Sequence, residues 1–296
     1  MRTIALIASK EFSDRLRSGW VVACMAVWLG AIVLTSLFGL AQIGKIGWQG
    51  YERTTISVLN LVQYLVPLLA LLLGHDLIVS EREDRTLALS IASGVGRAQL
   101  LLGKFFGGCL SLAFPVGLGF VIAGVVIGLG AGSAGLRNFV VLAISGLGLG
   151  IVFLAIGLTV SIICRTRVQA LVVALLTWCA AVFVFDLVAL GVVVATRTSE
   201  ASKQIETVTD ATHVNAIADM HQAFESGADS VPRAKPTAAR TLLLTLLINP
   251  VDLFRAINLP SPAEMTVPAL IIPFGFACWI TAALYFGFWR LRRLDL

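Results

Sequence analysis

Charge is what this sequence has least of. Lys, Arg, Asp and Glu together make up 13% of its 296 residues, where a soluble domain carries roughly a quarter. So few ionic groups exclude an ordinary water-soluble fold. The means to burn nucleotide are missing too. Gly103-Lys104 is followed by Phe105 and lacks the upstream glycine of a phosphate-cradling GxxxxGK[ST] loop. No HExxH, no GxSxG and no grouped Ser, His and Asp occur, so any energy input comes from outside the chain and no enzymatic site is expected. The five cysteines, Cys24, Cys109, Cys164, Cys179 and Cys278, are scattered through apolar runs without a CxxC pair. They read as small buried hydrophobes rather than as disulfides or metal ligands. His213 and His221 stand eight apart, not at the three- or four-residue spacing that brings ligands to one helix face. With Asp219 and Met220 they read as part of a solvated amphipathic segment, and no metal is expected. The formal net charge of +5 matters only by where it falls, and no nucleic-acid partner is expected.

What is present is apolar: 58% of residues are hydrophobic and mean hydropathy is +0.92. Runs of that character reach the ~20 residues a bilayer-crossing helix needs. The reading is an all-α polytopic membrane protein with six transmembrane helices. These lie at about 19–40, 56–79, 105–129, 139–164, 168–195 and 267–289, with a short turn at 130–138 and a tight hairpin at Arg165-Thr166-Arg167. The first run is too long for a signal peptide's apolar core and has no cleavage site, so it is expected to stay as a span. Before it, residues 1–18 place Ile4, Ile7, Ala8, Phe12 and Leu16 near one helical face. Lys10, Glu11, Asp14 and Arg15 lie largely away from that face, as in an amphipathic helix along a membrane surface. The remaining organisation is five helices over 19–195 with a polar loop at 80–104, a polar segment at 196–266, and a last helix with its tail at 267–296.

Basic residues orient the chain. With the N-terminus inside, thirteen Lys and Arg fall on inner segments, against Lys45, Arg53 and Arg137 on the short outer loops. Both termini and the 80–104 loop are then cytoplasmic, and 196–266 faces outward.

The 80–104 loop is the most informative soluble piece. It opens with Glu81, Arg82, Glu83, Asp84 and Arg85, passes through an amphipathic turn beginning Thr86-Leu87, and breaks at Ser93-Gly-Val-Gly96. Charges of both signs between two spans cannot enter hydrocarbon, at ~2.5 kcal/mol or more each. Such a patch can dock a partner through charge-assisted contacts while rejecting wrong ones. Polar groups inside spans are fewer. His75-Asp76 reads as an interface anchor or hydrogen-bonding pair, against a transport or proton role. Asp186 is a functional candidate by default, either as an ion ligand or as a wet or protonated, hydrogen-bonded carboxyl. Small residues spaced by four, as at Gly103/Gly107 and Gly146/Gly150, read as intramolecular helix packing before a dimer seam. Asn249 as a cap, Pro250 as the first helical residue, Asp252 in the first turn and Arg255 beyond it describe a short helix at the outer surface.

Taken together, Ala8-Ser-Lys-Glu-Phe-Ser-Asp14 with Arg15-Leu-Arg17, the stretch 68–104, Phe185-Asp-Leu-Val188 and the stretch 249–259 resemble the ABC-2 class of ABC-transporter permeases. Within it they are most similar to the NosY-type branch of nitrous oxide reductase maturation. The resemblance implies a type V exporter-like fold and a homodimer of six-span subunits, in membrane lipid, on two copies of a cytoplasmic ATPase that binds ATP and Mg. It implies an elbow helix at Ile4 to Arg17 and a coupling helix at Glu81 to Leu89. It further implies an outer periplasmic β-helical protein and a role in copper-site assembly of the reductase, relaying motion without necessarily conducting copper. The polar stretch at about 198–237 departs from the pattern, being longer here. A conducting exporter of a hydrophobic or lipid-linked substrate is the alternative. A secondary transporter built on Asp186 is the third.

Overall fold

The computed structural model describes residues 2–41, 48–92, 94–184, 187, 249–258 and 271–293. Asp186, His213, Asp219, His221 and the 198–237 stretch lie outside the described residues. All but a few described residues belong to one compact unit, Met1–Val182 with Asn249–Leu296; residues 183–248 form a second. Every regular element among the described residues is helical, as the hydropathy runs predict: α1 Arg2–Arg17, α2 Gly19–Ala41, α3 Trp48–Gly74, α4 Val79–Glu83, α5 Thr86–Ala92, α6 Arg97–Ile163, α7 Arg167–Cys179, α8 Pro250–Asn258 and α9 Ile271–Arg292. A π-helical turn, Ala180–Val184, continues α7.

Among the described residues five stretches are long and apolar enough to cross a membrane: Ser57–Glu83, Arg97–Val125, Leu136–Ile163, Arg167–Val184 and Pro273–Arg292. A sixth is reached by counting α2 together with α1, which meets it at a bend of 72°. α6 carries two of these stretches, because it is helical throughout yet folds back on itself. Gly108 faces Leu154, Gly150 faces Leu112 and Gly124 faces Phe139. Position numbers fall on one side as they rise on the other, the mark of an antiparallel hairpin. The expected non-helical turn at 130–138 is therefore replaced by helical backbone. The first leg also begins at Arg97 rather than 105: Gly96 is extended and its N–H bonds Gln99 Oε1 at 3.4 Å. A span of apolar residues marks the hydrocarbon-buried length of a helix, not its ends, so helices overrun it into the polar boundary.

The core is a seam of Val, Leu, Ile and Phe from α2, α3, α6, α8 and α9 around Trp28, Phe153 and Phe254. Small residues set its closest approaches. At Gly74 and Gly157 the α3 and α6 backbones touch, and a Cβ on Gly74 would sit 2.9 Å from Gly157 Cα. α8 plugs into the bundle rather than resting on it: Val251, Leu253 and Phe254 are buried. Asn249 Oδ1 accepts the Val251 N–H at 3.1 Å, and Asn249 Nδ2 donates to Ala181 O at 2.9 Å. Arg255 Nε bonds Gln63 Oε1 at 2.8 Å and Arg255 Nη1 bonds Asp252 Oδ1 at 3.3 Å.

Candidate coupling site

α3 ends at Gly74, and the chain turns through His75 to Ile78 before α4. That helix is too short to satisfy its own first N–H groups, and the hairpin supplies the missing acceptor. Ser161 Oγ, fully buried in the second leg of α6, accepts from both Ile78 N and Val79 N at 2.9 Å. Asp84 closes α4, Arg85 takes a left-handed φ of 56°, and α5 leaves in a new direction. The sequence-predicted joint is thus two short helices broken at Arg85.

Its charged residues divide by what they touch. Glu81 reaches inward to Lys104 Nζ at 3.0 Å, and the same ammonium holds Glu11 Oε2 of α1 at 3.1 Å. Glu11 Oε1 in turn accepts from Arg15 Nε at 2.9 Å, and Arg15 Nη1 bonds the Leu73 carbonyl at 2.8 Å. Lys104 is only 2% exposed, so the group is a buried, charge-balanced network of two acids and two bases. Burial raises the Glu11 pKa, but Lys104 and Arg15 together outweigh it and hold the carboxyl below its ordinary value of 4.5. Arg82 aims its fork the other way, donating to Cys164 O at 2.8 Å and Ile162 O at 3.0 Å. Those are orphan carbonyls at the end of α6. Adjacent residues of α4 therefore grip both ends of the hairpin.

Glu83 and Asp84 turn to α7. Arg167 Nε lies 3.0 Å from Glu83 Oε2 and Arg167 Nη2 lies 2.6 Å from Asp84 Oδ2. Asp76 stands 3.7 Å from the same guanidinium. The Arg167 N–H, one of the open donors at the start of α7, bonds Glu83 Oε1 at 2.8 Å. Four of the five charges read as a docking patch are thus engaged within the chain. The outward face of the joint is Arg85, Thr86, Ala88 and Leu89, with Leu89 71% exposed and Leu87 beneath it buried.

α1 reaches this network because α6 lets it. A Cβ on Gly103 would lie 2.7 Å from Ile7 Cβ, and one on Gly107 would lie 2.7 Å from Glu11 Cβ. Only glycine admits α1 this closely, and the approach delivers Glu11 to Lys104. Of the α1 residues singled out in the sequence, Glu11 and Arg15 enter the network, while Lys10 and Asp14 do not. His75 is buried beside the network with its Nδ1 bonded to Leu72 O at 2.7 Å. Lys104, Ser161 and Arg167 carry as much of the site as the acidic run does, and the reading of the sequence gave them no role in it. The signal available for Lys104 was a lone lysine set between Gly103 and Gly107 inside an apolar run.

Among the described residues no cluster of three or more His, Cys, Asp or Glu could hold a metal ion. What the arrangement can do is mechanical: it ties a short surface element to α6 and α7, and through Lys104 to α1.

Comparison with known proteins agrees in kind. Residues 5–296 match the model of the family described as ABC-2 family transporter protein. The chain is 31% identical to the Probable ABC transporter permease protein NosY of Stutzerimonas stutzeri, over 99% of each chain. It is equally 31% identical to the NosY of Pseudomonas aeruginosa, again over 99% of each. It is thus a multi-pass membrane protein of the NosY type, and it belongs to the ABC-2 family of ABC-transporter permeases.

Proposed function

We propose that the chain is the moving membrane part of an ABC transporter, taking up ATP-driven motion at the α4–α5 joint and passing it to the opposite face. Membership of the family implies an ATPase partner. In this reading two ATPase subunits, holding ATP and Mg, press on the joint from the cytoplasm, and two copies of the chain move together. The distribution of basic residues supports cytoplasmic termini and joint in an inner membrane, with α2 as the sixth span. The 72° bend at Ser18 and the glycine seat support α1 as an elbow helix at the membrane surface. The likeness to NosY supports service in copper-site assembly of nitrous oxide reductase, with a periplasmic β-helical partner receiving the motion.

The observation that carries the reading is the joint itself. It is braced from behind by ion pairs to α6 and α7 and by the Arg82 hydrogen bonds to the end of α6, yet it turns Arg85 and Leu89 outward. A rigid element with an exposed apolar tip suits a socket in another protein, since a central apolar anchor with a charged rim gives most of an interface's energy. Reversing Glu81 or Glu83 would disturb the chain's own packing and is no clean test. Leu89→Asp combined with Arg85→Glu alters the outward face alone. The variant pair is expected to reduce ATPase activity of the reconstituted complex to that of the free ATPase, with the melting temperature of the chain kept. Full stimulation by a correctly folded variant would sink the proposal.

A further inference from the structure

Beside the joint, between α1, the end of α3 and the start of α7, lies an open cavity of about 570 Å³, within the range of small-ligand sites. Its lining is part polar and part apolar. The apolar wall is Val21, Leu72 and Leu171, from α2, α3 and α7, all elements of the membrane-crossing body. The polar lining is Asp14, His75 and Asp76, together with Glu11, Ser18, Ser80 and the two arginines Arg15 and Arg167.

The polar groups left open are hydrogen-bond acceptors. The Leu72 carbonyl can only accept, so His75 Nδ1 carries the proton of that 2.7 Å bond, and in the neutral ring Nε2 is left as a bare acceptor. His75 is itself only 9% exposed. Asp76 Oδ1 is buried and has no hydrogen-bond partner among the described residues, its approach to Arg167 being a 3.7 Å ion pair. Asp14 adds an exposed carboxylate. The two arginines of the lining are already committed: Arg15 to Glu11 and Leu73 O, Arg167 to Glu83 and Asp84. A buried acceptor without a donor is costly, and the groups left open all ask for N–H donors and positive charge.

We infer that this cavity takes the ammonium head group of an aminophospholipid, its acyl chain running along Val21, Leu72 and Leu171. A primary ammonium brings three N–H donors; a trimethylammonium head group brings none, so the site tells phosphatidylethanolamine from phosphatidylcholine. The inference rests on the membrane placement in the reading above and not on coupling to an ATPase, so its assay needs no ATPase.

The test is native mass spectrometry of the full chain released from nanodiscs of equal phosphatidylethanolamine and phosphatidylcholine. The expected result is retained phosphatidylethanolamine in about tenfold preference. The preference is expected to vanish in Asp76→Asn. Should that variant lose its fold, Asp14→Asn, on an exposed residue, is expected to lower the preference instead. Equal retention of the two lipids, or a preference untouched by either variant, overturns the inference. Ethanolamine and spermidine titrated into the chain in phosphatidylcholine-only nanodiscs separate the other source of the same chemistry. No binding is expected at micromolar concentration; binding there assigns the cavity to a soluble amine and overturns the lipid.

Discussion

Lys104 shows how much a single side chain can hold when the protein closes around it. Its ammonium lies between Glu11 and Glu81, almost without access to water. Removing one partner of a buried pair strands the other charge, at about 3–5 kcal/mol. Lys104→Met is therefore expected to lower thermal stability by that order, read from denaturation in detergent. Lys104→Met with Glu11→Gln and Glu81→Gln is expected to recover most of the loss. Acid acts on the same network through Glu11. Its folded carboxyl titrates below the ordinary 4.5, so its contribution is complete above that value and drains away as pH falls through the folded one. Melting temperature should fall below about pH 4.5 in the wild type. In Glu11→Gln it should start lower and slope less. None of this pairing was legible in the sequence. Glu11 and Lys104 are 93 residues apart, and periodicity speaks only of neighbours within a few turns. What was legible was the sign of the charges and their confinement between spans, because hydropathy is a local property.

At the scale of elements, the glycine seat on α6 decides where α1 lies. Gly107→Val would place new atoms where the Glu11 Cβ and the Ala8 carbonyl already are. Overpacking of this kind costs about 1–3 kcal/mol, and here the element free to yield is α1. The expected outcome is α1 displaced from α6, seen as faster cleavage near Ser18 by added protease, with the other helices intact. The four-residue spacing of Gly103 and Gly107 announced a close contact, and reading it as packing within the chain agrees with the seat. The spacing could not say that the partner was α1, because either side of a helix that short offers a plausible fit. The limits of α6 were less legible still. Apolar runs fix the middle of each leg, while the start at Arg97 depends on Gly96 being extended and on one side-chain bond from Gln99.

For the molecule as a whole, the arrangement predicts which surfaces share a side of the membrane. Arg97 Nη1 donates to Arg292 O at 2.7 Å, and Arg82 to Cys164 O, so the joint, the end of the hairpin and the end of α9 gather at one end of the bundle. Single cysteines at Leu89 and Arg293, in a background without native cysteines, are expected to react with an impermeant maleimide only in inside-out vesicles. Labelling of either in right-side-out vesicles contradicts the proposed orientation. That the end of α9 shares a side with the joint was to be expected from the arginines alone; the bond that fastens the start of α6 to it was not.

Glu81 and Arg82 are neighbours in the chain, yet one is tied to the base of the first leg of α6 and the other to the base of the second. A two-pronged fork held by its handle behaves in the same way: moving the handle carries both prongs together, and the gap between them barely changes. Displacing α4 would swing the far bend of α6 through an arc without prising its legs apart. If α4 takes up motion as proposed, the space that opens lies between this hairpin and its surroundings, not inside it.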